Sequence, residues 1–333
     1  MEKVTGIKSV DFKIKAVGHG VVNWNGSPTL MTTVDGKDKK INNHSMPKLR
    51  GYKNIKGYWD DGNPKYKHTE DVDFANNPLY ISQNCIRHHL FKSEGFFDLQ
   101  SKEVALNMDK LLCSITGLVR GYVVPATEHK RTSALLLTDF IDSKNNGNYE
   151  QLSKSGSKEK KVTKSGGEKS TSMFSKTTFG DTEYTASGSI SIELLQFISL
   201  SSEFSRQAMM VDNESEAKSI AKKISCFINV LGNVKNADAV YHKNYVRKGS
   251  IFNSGESGIL LNDIAIEVLV KEMIRRLENL SIRQAKGYMY VDSIQVDFND
   301  SSFAKDMFRI ETNPASVLEE KGDREFSVYF EGR

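Results

Sequence analysis

The sequence predicts an α+β fold in which an antiparallel sheet carries helices on one of its faces. Two periodicities support this prediction. Near the N-terminus, Val10, Phe12 and Ile14 alternate with charged residues, which is the pattern of a strand with one buried face. Between Ile266 and Leu280, apolar residues recur at helical spacing. A chain of 333 residues is long enough for one large domain or two ordinary ones.

The remaining elements are predicted in chain order from the same periodicities and from helix-capping residues. They are a strand from Val10 toward Trp24, a helix from Ser82 or Asn84 to about Lys92, a helix after Ser101 that ends at Gly117, a strand over Leu118 to Val124, a strand over Ile190 to Leu200, a helix from Ala217 to Gly232, a hairpin over Ala239 to Leu261, a helix capped by Asn262 or Asp263, and a strand over Tyr288 to Phe298. This order is compatible with a ferredoxin-like, split βαβ arrangement.

Two irregular stretches interrupt this order. Residues 25–77 show no period and are interpreted as an insertion. Residues 126–187 form the second stretch, and Ser153 to Ser172 is so poor in apolar residues that we expect it to be mobile when free. Met173 to Tyr184 then predicts a projecting hairpin around Gly180 and Asp181.

Composition excludes several classes of protein. Three widely spaced cysteines give neither a disulfide framework nor a zinc site. Together with the absence of a signal peptide or a membrane-spanning apolar run, this favours the cytoplasm and no membrane partner. No phosphate-binding, dinucleotide-binding, nucleophile or zinc-protease motif is present, so we expect no cofactor, no metal and no catalytic residue. The adjacent His88 and His89 point to different helix faces and cannot chelate one ion together.

Short clusters of cationic, amide and aromatic residues are the candidate binding elements. Cations offset phosphate charge, amides bond phosphate or ribose oxygens, and aromatic rings stack on bases. Each cluster taken singly is also compatible with an ordinary solvated loop. The candidates are Asn23, Trp24, Ser82, Gln83, Asn84, Arg87, His88, Arg247, Lys248, Arg283, Gln284 and Lys286. The net charge of +4 is small, so cations must be gathered locally for nucleic acid to bind.

Several longer strings resemble the repeated backbone subunit of a variant type I-F CRISPR surveillance complex, Cascade. These strings are Val4 to Lys15, Gly18 to Gly26, Pro78 to Phe91, Ser114 to Gly117, Ser175 to Tyr184, Ser189 to Leu200, and Leu280 to Asp292. The resemblance implies an RNA-recognition-type (RRM-like) palm of residues 1–24, 78–125 and 188–333. It also implies a finger insertion of residues 25–77 and a thumb or web insertion of residues 126–187.

The same resemblance implies a non-catalytic protein that polymerises along CRISPR guide RNA. Its partners would be the guide, target DNA paired to it, further copies of itself, and other Cascade subunits at the ends of the filament. The thumb would displace a guide base at intervals, with Phe174 or Phe179 as the wedge. Arg120 and Lys176 join the expected RNA contacts.

Two other functions remain open from the sequence. The first is a metal-independent endoribonuclease of the same superfamily, with His88 or His19 as the base, because such enzymes share the palm fold. The second is a self-assembling shell or filament protein that binds no RNA. Cleavage assays distinguish the first function, and the RNA content of the purified assembly distinguishes the second.

Overall fold

A computed structural model of the chain describes residues 4–24, 29–34, 36–41, 44–45, 48–68, 71, 73, 76–93, 107–144, 149–154, 161–162, 168–169, 173–178, 180–203, 207–284, 286–302 and 308–333. For residues 32, 34, 41, 44–45, 149–154, 161–162, 168–169 and 173–178 it describes the backbone alone.

These residues form 22 strands and six α-helices. The strands are β1 (Ser9–Gly20), β2 (Leu30–Val34), β3 (Lys37–Ile41), β4 (His44–Ser45), β5 (Ile55–Tyr58), β6 (Pro64–Tyr66), β7 (Tyr80–Ile81), β8 (Tyr122–Val124), β9 (His129–Arg131), β10 (Leu135–Leu137), β11 (Phe140–Asp142), β12 (Tyr149–Lys154), β13 (Lys161–Val162), β14 (Glu168–Lys169), β15 (Met173–Thr178), β16 (Asp181–Ser191), β17 (Phe197–Ser199), β18 (Ala239–Arg247), β19 (Glu256–Leu261), β20 (Ser281–Gln284), β21 (Gly287–Asn299) and β22 (Phe330–Gly332). The helices are α1 (Gln83–Phe91), α2 (Met108–Leu112), α3 (Ile192–Gln196), α4 (Glu214–Gly232), α5 (Asp263–Glu278) and α6 (Arg309–Thr312), with a π-helical turn at Thr116–Arg120 and a 3₁₀ turn at Pro314–Ser316.

The first strand lies in the middle of the largest antiparallel sheet, which we call the large sheet. Its strand order is β20–β21–β1–β16–β11–β7, and β10 also pairs with β16. Phe12 lies opposite Gly188 on β16 and opposite Val296 on β21. Strand β1 is therefore paired along both of its edges, by segments that are distant in sequence.

The two faces of the large sheet differ in chemistry. Val10, Phe12, Ile14 and Ala16 are all fully buried on one face. They belong to one hydrophobic core with side chains of α4 and α5, because burying this face against helices removes its apolar surface from water. The other face carries the odd-numbered residues of β1, from Ser9 to His19, and their partners on β16 and β21. We call this the open face.

A smaller antiparallel sheet has the strand order β17–β19–β18–β22, and α4 packs against β18. The buried amide of Gln196 joins this sheet to the segment before β22. Its Oε1 accepts from the Tyr329 N–H at 2.9 Å, and its Nε2 donates to the Ser327 carbonyl at 3.1 Å. These bonds satisfy polar groups that would otherwise be buried without partners.

The C-terminal segment crosses part of the open face. Arg309 forms a buried ion pair with Asp297 of β21, with an Nε–Oδ2 distance of 2.9 Å. Glu311 of α6 accepts from Lys13 Nζ and from Ser187 Oγ, both at 3.0 Å. The segment is therefore attached to β1, β16 and β21, and it covers part of the face that would otherwise meet solvent.

Within residues 25–77, the described segments form two hairpins. Strand β2 pairs with β3, and β5 pairs with β6. Strand β4 instead pairs with β12, which belongs to the stretch 126–187. The base of the second hairpin is fastened to the body, because Leu49 bridges to Leu79 just before β7.

Much of the predicted element order is confirmed. The first strand, the β18–β19 hairpin, both long helices and the strand at Tyr288 to Phe298 are observed. Of the alternative caps, the structure selects Ser82, whose Oγ accepts from the Cys85 N–H, and Asn262, whose Oδ1 accepts from the Ala265 N–H. Antiparallel sheets combined with helices confirm the mixed class of the fold.

Three predicted elements are wrong. Met173–Thr178 pairs with Tyr149–Lys154, not with Asp181–Ser191, which instead pairs with β1. The predicted hairpin is therefore replaced by strands of two different sheets. Gly117 lies inside the π-helical turn, and the strand after it begins only at Tyr122. The predicted strand over Ile190 to Leu200 is interrupted by α3.

The stretch 126–187 also supplies strands to the large sheet. β10, β11 and the first part of β16 come from it. Only short segments of Ser153 to Ser172 are described, so its expected mobility lies outside the described residues.

Candidate nucleic-acid interface

The open face presents cations and hydroxyls at its centre. Lys13 lies opposite Ser187, and Lys15 lies opposite Thr185. The strand period places these side chains on the face away from the core. A cavity of about 620 Å³ is lined by Lys13, Arg50, Gln83, Thr138, Asp139, Ile141, Thr185, Ala186, Ser187 and Glu311. Such a cavity offers several donors to an extended polyanion.

Both cations of this cavity are paired with carboxylates. Lys13 contacts Glu311 at 3.0 Å, and Arg50 contacts Asp139 at 2.5 Å. Both cations are more than a third exposed, so each pair contributes only about 0–1 kcal/mol. Ion pairs this weak are readily exchanged for contacts to phosphate.

The N-terminus of α1 borders the cavity. Ser82 caps the helix, while Gln83 and Asn84 are exposed. The Gln83 N–H already donates to Asp139 Oδ1 at 2.9 Å. The Asp139 carboxylate therefore lies at the positive N-terminal end of α1, where an anion is stabilised.

Arg87 and Arg120 lie deeper than the sequence analysis suggested. Arg87 Nη2 donates to the Leu135 carbonyl, and burial, followed by the nearby charge of Arg120, lowers its pKa. The Arg120 guanidinium carbon lies 5.9 Å from the centroid of the buried Phe91 ring. These two arginines therefore join α1 to neighbouring segments.

His88 is exposed, and its ring meets that of His89 edge-on with centroids 5.0 Å apart. Burial lowers the pKa of His89 to about 4, with smaller contributions from the charges of Lys92 and His88. His89 is consequently neutral at physiological pH.

Aromatic rings gather where β1 meets β21. The His19 and Tyr288 rings stack with centroids 6.2 Å apart, and the Tyr288 and Tyr290 centroids are 5.6 Å apart. The Arg283 guanidinium lies 5.2 Å from the Tyr290 centroid. Tyr288 is 47% exposed, so part of its ring is available for stacking. Gln284 is also exposed, at the end of β20.

The glycines of β1 allow this close approach. A Cβ at Gly18 would clash with the Tyr288 carbonyl oxygen, and one at Gly20, whose φ is +74°, would clash with the Lys286 carbonyl oxygen. A residue with a side chain at either position would therefore force β1 away from β21 and the residues that precede it.

Asn23 and Trp24 lie beside this aromatic end. Lys286 Nζ is 5.1 Å from the Trp24 ring centroid. The Asn23 carbonyl accepts from the Lys48 N–H at 2.9 Å. The structure therefore brings Asn23, Trp24, Arg283, Gln284 and Lys286 to one end of the large sheet.

Arg247 and Lys248 lie elsewhere, near the start of β1. Arg247 donates from Nε and Nη2 to the carboxylate of Glu193, at 2.8 and 3.1 Å, and this pairing raises its pKa. Arg247 lines a cavity of about 730 Å³ with Ser9 and Asp11. At roughly 3.4 Å per residue, the two ends of the twelve-residue β1 are about 37 Å apart. The candidate residues are thus distributed along the whole strand.

The thumb candidates lie in or beside β15. Phe174 and Lys176 belong to β15, of which the backbone is described, and Phe179 lies outside the described residues. Lys13, Arg50 and Tyr290 were not among the binding residues predicted from the sequence. Tyr290 could have been predicted, because it lies in the same strand as Tyr288 and two residues further on. Arg50 could not, because its position depends on the path of the insertion.

The described residues contain no group of three or more His, Cys, Asp or Glu side chains arranged to hold a metal ion. Among the same residues, every helix is too short or too polar to span a membrane.

The fold and this interface define a class: a mixed α/β protein whose antiparallel sheet exposes a face of lysine, hydroxyl and aromatic side chains. A family model described as type I-Fv CRISPR-associated protein Cas7fv-like matches residues 6–333. Because the match covers nearly the whole chain, the protein belongs to this Cas7fv-like family. No curated protein matches the chain.

Membership confirms the resemblance seen in the sequence. The family provides the Cas7 backbone subunit of a variant type I-F Cascade, a CRISPR complex of antiviral defence. Cas7 proteins are generally non-catalytic structural subunits.

Proposed function

We propose that this protein binds CRISPR guide RNA along the open face, polymerises along the guide in the cytoplasm, and presents it for pairing with target DNA. Its own role is non-catalytic, and other Cascade subunits occupy the filament ends. The proposal assigns an RRM-like palm to residues 1–24, 78–125 and 188–333, a finger to 25–77, and a thumb or web to 126–187.

The observation that carries the proposal is the cationic and hydroxyl-rich open face, which extends from Arg247 to the aromatic end at Tyr288. An extended strand of RNA needs phosphate partners along its length and leaves its bases readable when the contacts are to the backbone. Exposed, weakly paired Lys13 and Arg50 are suited to such contacts. The aromatic end is suited to stacking of an unpaired base.

Filter binding to CRISPR repeat RNA tests this proposal. Lys15→Gln removes an exposed cation of the open face, whereas Lys222→Gln removes an exposed cation of α4. We expect Lys15→Gln to weaken binding and to reduce the slope of log affinity against log salt by about 0.7, the value for one phosphate contact on a single strand. Lys222→Gln should change neither. Equal behaviour of the two variants would refute the open face as the binding surface.

One observation favours a second function. His19 Nδ1 lies 2.9 Å from Asp181 Oδ1, an arrangement that can orient an imidazole as a general base. A metal-independent endoribonuclease would cleave repeat RNA in the presence of a chelator and would lose cleavage on His19→Ala. RNA that remains bound and intact would exclude this second function.

A further inference from the structure

One short segment with an excess of positive charge is residues 48–68, which we call the basic arm. Six cations lie in it: Lys48, Arg50, Lys53, Lys56, Lys65 and Lys67. Its only acidic residues are Asp60 and Asp61, so its formal charge is +4, the same as that of the entire chain. The rest of the sequence holds 40 cationic and 40 acidic residues. The arm therefore has a local excess of positive charge, which favours contact with a polyanion.

The basic arm also carries exposed aromatic rings. Tyr58 is 66% exposed and Trp59 is 58% exposed, at the end of the β5–β6 hairpin. Lys65 Nζ lies 4.2 Å from the Trp59 ring centroid, and Lys67 Nζ lies 4.7 Å from that of Tyr52. Lysines beside aromatic rings are suited to binding single-stranded nucleic acid, because exposed rings stack on bases and the ammonium groups meet phosphates.

The two exposed rings are not needed to close the hairpin. The Trp59 N–H donates to the Asn63 carbonyl at 2.8 Å, and the Gly62 N–H donates to the Trp59 carbonyl at 2.9 Å. Asp61 accepts from the Asn63 N–H and from its Nδ2, at 2.9 and 2.8 Å. Backbone and carboxylate bonds hold the turn, so the rings of Tyr58 and Trp59 remain available to a ligand.

The base of the arm is attached firmly to the body. The Arg50 N–H donates to the Pro78 carbonyl at 2.8 Å, and within the insertion Asn54 Nδ2 donates to the Thr29 carbonyl at 3.1 Å. Leu49 is buried at the bridge to Leu79. The backbone that carries Tyr58 and Trp59, at the tip of the β5–β6 hairpin, is therefore ordered before a ligand binds. This order reduces the entropic cost of binding.

We propose that the basic arm is a second nucleic-acid-binding element, which stacks an unpaired base on Trp59 or Tyr58 and pairs its lysines with the adjoining phosphates. The ligand class is single-stranded nucleic acid outside the open face. The idea rests on the proposed function, because it assumes that the assembled complex holds nucleic acid near this side of the protein. It adds a contact site that guide binding along the open face does not require.

The chain offers a direct test, because its two tryptophans, Trp24 and Trp59, lie in the two different sites. Trp24→Phe leaves Trp59 as the only tryptophan, and Trp59→Phe leaves Trp24. A twelve-nucleotide oligo(dT) is titrated into each full-length variant while tryptophan fluorescence is recorded. A base stacked on Trp59 quenches emission of the Trp24→Phe protein, and a duplex of the same length should quench it much less.

Affinity measurements complete the test. Trp59→Ala should weaken oligo(dT) binding roughly 5- to 150-fold, the range expected for one stacked base. The matched control is Phe252→Ala, which removes a 68% exposed aromatic ring from the β18–β19 turn and should change affinity by less than about twofold. Replacing Lys53 and Lys65 by Gln should lower the salt slope by about 1.4, whereas the same change at Lys222 and Lys235 should not.

The outcomes separate the two proposals. Quenching of Trp24 without quenching of Trp59 overturns the arm proposal and leaves the open face intact. Quenching of Trp59 alone supports the arm and counts against binding at the aromatic end. No quenching of either, with cognate repeat RNA as a second probe, overturns both. If Trp59 emission changes with protein concentration in the absence of nucleic acid, the tip instead contacts another copy of the chain, and the arm proposal fails.

Discussion

Replacing Arg309 by Ala tests how the C-terminal segment is held on the open face. Its guanidinium donates to Asp297 through Nε and Nη2 at 2.9 to 3.1 Å, to Asp300 Oδ1 at 3.0 Å and to the Phe298 carbonyl at 3.2 Å. The side chain of Arg309 is 7% exposed and that of Asp297 is 0% exposed. The substitution therefore leaves a buried carboxylate without its counter-ion.

Breaking a buried ion pair in this way costs about 3–5 kcal/mol, a large part of the 5–15 kcal/mol by which most domains are stable. Arg275→Ala is the matched control, because Arg275 is 62% exposed and pairs with Glu272 on the surface of α5. That pair should be worth about 0–1 kcal/mol.

Equilibrium unfolding in urea, followed by circular dichroism, measures both changes. Adding Asp297→Asn to Arg309→Ala should recover part of the loss, because it removes the unpaired charge. If Arg309→Ala and Arg275→Ala lowered the free energy of unfolding equally, the reasoning from burial would be refuted.

Three further predictions concern single sites. Gly188→Ala would place a Cβ in clash with the Phe12 ring and 2.5 Å from the Leu136 carbonyl oxygen, and should cost about 1–3 kcal/mol in urea unfolding, whereas the exposed Ser293→Ala should cost less than about 0.5 kcal/mol. Ser82→Ala removes the N-cap of α1 and should cost about 1 kcal/mol, whereas Ser219→Ala, on an exposed position inside α4, should be neutral or stabilising; equal losses would contradict the capping assignment. The pKa of His89 is lowered to about 4, so the unfolded chain takes up the proton first and His89 should make stability fall as the pH drops from about 6.5 to about 4; an NMR titration midpoint near the ordinary 6.5 would disprove this.

Local signals were sufficient where one segment determines its own structure. Helices α4 and α5 follow from apolar residues at helical spacing, and α5 also from Asn262, whose side chain accepts from the backbone three residues on. The cap of α4, Asn213, was not predicted. Strand β1 follows from its period of two. The apolar run from Ile190 was ambiguous, because Ser191 can either continue a strand or cap a helix, and here it accepts from the Leu194 N–H.

Pairing between distant segments was the part that local patterns did not contain. The sequence around Met173–Thr178 contains no signal that this strand pairs with Tyr149–Lys154 and not with the strand that follows it. The candidate interface is likewise built from segments that are distant in sequence. Asn23, Trp24 and Lys286 were selected by residue type, but the neighbours of Lys13 are supplied by α6, about 300 residues away in sequence.

The central place of β1 has a consequence for how the polypeptide is made. Ser9 pairs with Ser191 on one side and with Asn299 on the other, so about 290 further residues must be synthesised after Ser9 before β1 receives its last partner. At about 5–20 residues per second, that wait lasts roughly 15 to 60 seconds. During this interval, the unsatisfied N–H and C=O groups of β1 can pair with other nascent chains. Chaperones bound to the nascent chain during the same interval should therefore determine the yield of folded protein.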